Sequence, residues 1–213
     1  MHENFLALQR EKRDRIINAA MQEFSSRGFK NASTNEIVKQ AGISKGALFH
    51  YFVSKRDLFE FIYLYSIEQL SGVMESGMKN LPKDIFERWK SFALLKMKIR
   101  AQHSQIFDFT VNMAQDEDAG VKKFLEGLRE RLSFDYMKKM YQGIDAAKFK
   151  PGVDFQKAAQ IITWVAESFA TAKLKNIEST ARVYDENFFT NAVRELEEYL
   201  VVLKKNFYTE DNV

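Results

Sequence analysis

The residues with the most chemical consequence lie close together: Lys45, Gly46, Ala47, Phe49 and His50, followed by Tyr51. They belong to the run SKGALFHYF, in which the apolar Leu48 and Phe52 stand one helical turn apart. With that pair turned inward, Gly46 and His50 turn outward, flanked by Ala47 and Phe49, with Lys45 at the helix start. Surface helices ordinarily show Glu and Lys on such a face. This one shows a glycine, a methyl, an imidazole and a phenyl ring, a set suited to close contact. A glycine early in a helix costs about 1 kcal/mol relative to alanine, yet it lets a partner approach the backbone. His50 is the polar group at the centre, able to donate to guanine N7 or O6 or to a phosphate. Phe49 offers an apolar surface that a thymine methyl would fit, and Tyr51 stands at the phosphate flank.

The elements that must position these groups are readable on either side. Ser33 followed by Glu36 has the capping-box pattern for a first helix, along which Ile37, Val38 and Ala41 repeat at helical spacing. Ser33, Thr34 and Asn35 at its start complete the set expected to face DNA. Gly42 stops that helix where a positive φ is cheapest, and Ser44 starts the next. Two short helices joined by a tight turn over 33–52 read as a helix-turn-helix. An ordinary helical corner with a solvated face is the alternative on pattern alone.

The run IVKQAGISKGALFHYFVSKRDLF resembles the helix-turn-helix signature of TetR-type (tetracycline-repressor-like) transcription regulators. The likeness extends upstream through Ile16, Ile17, Asn18, Ala19 and Ala20, then Phe24 and Gly28-Phe29, and covers about residues 11–71. One departure is Phe49, where the family commonly has a tyrosine whose hydroxyl can bond a phosphate. The resemblance implies a DNA-binding domain over 1–54 and an effector-binding and dimerisation domain over 55–213. It also implies that Lys55 meets a DNA phosphate beside a helix N-terminus. Two copies would pair through helices at about 155–176 and 186–207 and bind a palindromic double-stranded DNA operator. A small hydrophobic effector would release this repressor; a DNA-bound scaffold without an effector, acting through protein partners, is the alternative.

Composition agrees with an all-α chain: 2 prolines and 9 glycines in 213 residues, and 19 phenylalanines. Residues 1–57 hold 10 Lys/Arg against 6 Asp/Glu, the remainder 22 against 23, so the positive excess lies with the helix-turn-helix. There is no cysteine, hence no disulfide framework or thiolate metal site. The three histidines are scattered, and no phosphate loop, nucleophile motif or paired carboxylates stand out. The expectation is therefore no enzyme, no metal and no cofactor. No apolar run reaches the roughly 20 residues of a membrane span and the N-terminus lacks a signal-peptide pattern, so a cytoplasmic protein is expected.

About nine helices are expected from periodicity and caps. After a frayed or helical arm at 2–9, the first runs from Arg10 to about Ser26. Ser54 caps a long helix to about Met78, and Pro82 stands in the first turn of another to about Gln102. Further helices fall at 105–114, after the Asp116–Asp118 cluster, at 155–176 and at 186–207, with 143–152 a loop. Aromatic and methionine side chains of the middle helices suit an apolar effector cavity: Tyr63, Trp89, Phe92, Phe107, Met113, Phe134, Met137 and Trp164. The helix at 155–176 carries too much apolar surface for one buried side, the reason for expecting a second copy against it.

Overall fold

Helix α1 (Glu3–Leu6) opens the chain in a computed structural model that describes residues 2–175 and 186–212, with backbone alone at 131–137, 174, 175 and 186. There follow α2 (Arg10–Asn31), α3 (Thr34–Ala41), α4 (Lys45–Tyr51), α5 (Lys55–Gly77), α6 (Ile85–Gln102), α7 (Ser104–Met113), α8 (Ala119–Tyr141), α9 (Phe155–Lys175) and α10 (Glu186–Phe207). Short 3-10 turns occupy Ala146–Lys148 and Glu210–Asn212, and the one β-bridge among the described residues joins Phe149 to Tyr208. The fold is all-α. The arm at 2–9, expected to be frayed or helical, holds the short helix α1, which forms because Phe5 is fully buried against Tyr51, Phe52 and Phe61.

The chain divides into two compact units, Met1–Val73 with Gln102–Arg131, and Met74–Ala101 with Leu132–Val213. The functional boundary expected at 54/55 is a different kind of division and runs inside the first unit. Compactness groups the start of α5, all of α7 and the start of α8 with the helix-turn-helix. The shared core explains this: Ile16, Phe24, Ile37, Leu48 and Phe52 pack in one cluster with Leu58, Phe59, Phe109, Met113 and Val121. Each such fully buried side chain contributes about 1.5–3 kcal/mol. Helix α2 packs on both α3 and α7, and its helical run is interrupted at Gly28 (φ 71°) before the α3 turn.

In the second unit Ile85, Phe86, Trp89 and Phe92 of α6 form a core with Met140, Ala158, Ala159, Ile162, Ala166, Leu196 and Leu200. Pro82 does not lie in the first turn of α6, as its type suggested. It precedes the helix, and Asp84 provides the cap, its Oδ1 accepting from the amides of Phe86 (2.9 Å) and Glu87 (3.2 Å). The Pro82 carbonyl instead accepts from Arg88 Nε at 2.6 Å, while Arg88 Nη1 donates to the carbonyls of Lys139, Met140 and Gln142 around the end of α8. Among the described residues no helix is long and apolar enough to cross a membrane.

Asp84 also pairs with Lys148 at 3.0 Å. Burial pushes its carboxyl up, but the hydrogen bond from Lys148, the two amide donors and the Lys148 charge together hold it below the ordinary 3.8. A depressed folded-state value means stability that is present above 3.8 and lost as pH falls through the folded value. We expect urea midpoints to decline on that acid limb in the native protein and less steeply in Asp84→Asn. Parallel acid limbs for the two proteins would remove Asp84 from the account.

Candidate nucleic-acid interface

The turn between α3 and α4 forms as its residue types dictate. Gly42 adopts φ 65°, ψ 41°, and its amide and that of Ile43 close on the Lys39 and Val38 carbonyls. Ser44 Oγ then accepts from the Ala47 amide at 3.1 Å and caps α4. Leu48 and Phe52 are sealed in the core. Lys45, Gly46, Phe49 and His50 are accordingly exposed, Phe49 at 39%, while Ala47 and Tyr51 are half-buried at the edge of the face. A Cβ added at Gly46 would meet nothing closer than Ser44 Oγ at 4.0 Å. Nothing within the protein therefore asks for a glycine there. Asn35 is exposed, and Ser33 and Thr34 are half-buried.

The start of α3 is held differently from the expected capping box. The Ser33 hydroxyl makes no cap, and Glu36 lies 4.0 Å from Lys39. The Ser33 amide donates instead to Oε1 of Glu23, a buried carboxylate of α2, at 2.9 Å. A second carboxylate, Asp116 in the α7–α8 turn, accepts from the Phe29 amide at 2.7 Å. The capping pattern was misread because a carboxylate distant in sequence reaches the amide first.

Lys55 is the larger correction. Its ammonium donates to the carbonyls of Phe29 (2.8 Å), Lys30 (3.1 Å) and Ala32 (3.0 Å) and lies over the Phe29 ring. Three N–H groups meet three acceptors, so in this conformation none is left for a phosphate. The side chain works as a cation on the carbonyl end of α2 rather than at the α5 N-terminus. That terminus is capped by Ser54, whose Oγ accepts from the Asp57 amide at 3.1 Å, and Asp57 Oδ2 accepts from Val53 N at 2.8 Å.

Two further groups escaped sequence reading. His2 sets Nδ1 3.2 Å from the Tyr51 carbonyl oxygen and Nε2 3.2 Å from Asp57 Oδ1, and so covers the last turn of α4. A cavity of about 330 Å³ lies there, lined by His2, Glu3, Asn4, Phe5, His50 and Tyr51. Val53 is 91% exposed just past α4. An apolar residue between a helix end and an N-cap was the only signal for it.

Of the residues expected to line an effector cavity, Tyr63 and Met113 share the core of the first unit, and Trp89 and Phe92 that of the second. Tyr63, Phe107 and Met113 belong to the first unit, Trp89 and Phe92 to the second. Tyr63, Met113, Trp89 and Phe92 are buried and Phe107 half-buried; burial pushes the Tyr63 phenol up to about 12. Trp164 is 60% exposed on α9 and lines no interior; its α9 face points outward. Phe134 and Met137 lie outside the described side chains.

Two short helices, a left-handed glycine turn and an exposed, closely approachable second helix define a helix-turn-helix protein of the DNA-binding class. Residues 16–62 match the model of the tetR family of bacterial regulatory proteins. The regulator UidR of Escherichia coli is 41% identical over 69 residues, covering 32% of this chain and 35% of its own. The first curated relatives are thus matched over about a third of their length (32% and 35%). The fatty acid metabolism regulator protein of Bacillus subtilis is 26% identical over 201 residues, 88% of this chain and 94% of its own. Among solved structures, a TetR family transcriptional regulator from Chloroflexus aurantiacus is similar with a TM-score of 0.67, 21% identity and 98% of each chain covered. FadR from Bacillus subtilis in complex with stearoyl-CoA is similar with a TM-score of 0.64 and 20% identity, over 88% of this chain and 97% of that one. These two establish the shared fold.

Lys55→Met should lower the urea midpoint by the equivalent of about 1–3 kcal/mol, since it leaves carbonyls without their donor. The slope of log affinity against log salt on DNA should stay unchanged. A slope smaller by about one unit would return Lys55 to the phosphate contacts.

Proposed function

We propose that the chain is a homodimeric transcriptional repressor that binds a palindromic double-stranded DNA operator and is released by a small hydrophobic effector. The observation that carries this reading is the outward face of α4, where Lys45, Gly46, Phe49 and His50 stand exposed over the sealed Leu48 and Phe52. Inserted in a major groove, that face brings the Gly46 backbone and the His50 imidazole toward base edges. Thr34 and Asn35 at the α3 N-terminus, with Tyr51, flank it toward the phosphates.

A two-fold operator requires two copies, with half-sites about 34 Å apart. Helices α9 and α10 support that assembly. Ile161 and Trp164 stand one turn apart on α9, 37% and 60% exposed, and Tyr199 and Val202 one turn apart on α10, 51% and 59% exposed. Such an outward apolar set on neighbouring helices fits a self-complementary interface. The effector reading draws on the relatives: one is a fatty acid metabolism regulator protein, and a fold neighbour was solved with stearoyl-CoA. A long-chain acyl compound is the effector class these favour here. Binding better to the conformer that does not fit the operator, it would weaken DNA binding and be weakened by DNA in turn.

The test of base reading is a competition series over all four bases at each half-site position, after selection of a site from random DNA at fixed salt. His50→Ala should cost about 1–3 kcal/mol at one position per half-site and leave helicity intact. An even loss across every variant would make His50 a backbone contact, and no loss would dismiss the outward face as a reading surface. For assembly, sedimentation at micromolar concentration should show a dimer, and Trp164→Asp with Val202→Asp should yield a folded monomer that no longer prefers a palindrome. A native chain that sediments as a monomer would end the two-fold reading.

A further inference from the structure

Lys96 sits where a helix buried against a core ordinarily places an apolar residue. On α6 it follows the buried Trp89 and Phe92 and precedes the buried Ile99, all on the inner face. Its ammonium lies 4.5 Å from the centroid of the Phe92 ring, itself set edge-on to Trp89 at 6.0 Å. Among the described residues no carboxylate stands within ion-pair distance of it. Glu167 of α9 is the acid that acts on it electrostatically, while burial holds the ammonium below the ordinary lysine range. Yet the residue is half-buried rather than sealed. A half-buried ammonium over an aromatic ring, with no carboxylate against it, is open to an acid from outside the protein. A second group on the same face is also without a partner: Trp89 Nε1 is buried and has no acceptor. An ammonium and an indole N–H without acceptors are costly to keep in a core, and both are donors.

We propose that Lys96 is the ion partner of an anionic group, carboxylate or phosphate, carried by an apolar-chain ligand that lies along Phe92 and Trp89. The inference rests on the effector reading above and adds the chemistry of the ligand's polar end. It excludes alcohols, esters and cations as the preferred class. The Phe92 ring beneath the ammonium keeps it in place without supplying a counter-charge, so the site is complete only when an acid arrives.

Calorimetric titration of the full chain with dodecanoate, dodecanol and dodecanoyl-CoA tests this. The acid or the CoA thioester should bind about tenfold or more tightly than the alcohol, the size of one charge-assisted hydrogen bond. Preference for dodecanoate assigns the carboxylate to Lys96, and preference for the thioester assigns the CoA phosphates. Lys96→Met should erase the preference and leave the melting temperature of the ligand-free protein unchanged or higher, because it removes an uncompensated buried charge. Lys96→Arg should keep the preference. A lysine with a purely structural role would instead lower the melting temperature and leave the preference standing, which overturns the proposal. Equal affinity for acid and alcohol in the native protein, or binding of neither, overturns it as well. Operator binding by the ligand-free protein is measured alongside. Its loss counts against the regulator reading, whereas intact operator binding with no acid preference counts against Lys96 alone.

Discussion

The recognition helix depends on how the backbone of the turn before α3 is satisfied. Between Gly28 and Ser33 the chain leaves one helix and enters another, and the polar groups freed at both ends need partners. They receive them from three places in the first unit. Glu23 of α2 takes the Ser33 amide, Asp116 of the α7–α8 turn takes the Phe29 amide, and Lys55 of α5 takes three carbonyls. Arg56, beside Lys55, lies 4.3 Å from the Phe29 ring centroid and pairs with Asp118 at 2.7 Å. Gly28 is compatible with this closeness for two reasons: its φ is 71°, and a Cβ there would stand 3.1 Å from Asp116 Oδ2. The start of α3 is thus fixed from outside the motif.

The same physical rule operates in the second unit. Arg88 closes the carbonyl end of α8 much as Lys55 closes that of α2, a cation meeting acceptors whose partial negative charge accumulates at a helix C-terminus. The two residue types suit the two settings. Arg88 is sealed in the core and spreads donors over several carbonyls in a plane, whereas Lys55 gathers three at a point near solvent. In both cases the cation stands far from its acceptors in sequence, so the closure ties together elements that local propensity alone would leave independent.

That distance separates what was legible in the sequence from what was not. The glycine turn at Gly42, the Ser44 cap, the inward pair Leu48 and Phe52, the start of α9 and the end of α10 follow from side chains within a turn of one another, and each formed as its pattern indicates. The expected cap at Ser33 and the expected role of Lys55 met other partners for one reason. Each turned on a competitor from elsewhere, Glu23 for the Ser33 amide and the α2 carbonyls for the Lys55 ammonium, whereas the start of α6 was set locally, by Asp84 capping in place of Pro82. Trp164 failed differently. Aromatic content marks a residue as apolar, and the side of the helix on which it ends is decided by which face the neighbouring helix covers. The exposed face of α4 was readable because it was the face left over once the core was assigned.

Helix α4 has seven residues, too few to persist without support. Its support is complete: a serine at one end, His2 over the Tyr51 carbonyl at the other, and Leu48 and Phe52 beneath. Loosening any of these would dissolve the helix rather than tilt it, because a short helix has no stable intermediate between packed and unfolded. A regulator built this way gains little from melting its reading surface, which would also expose the core it covers. Control is more economically exercised on the placement of the intact surface. The exposed groups of α4, Lys45, Gly46, Phe49 and His50, make no contribution to the core, so their identity is free of it, while the groups that hold them answer only to the fold.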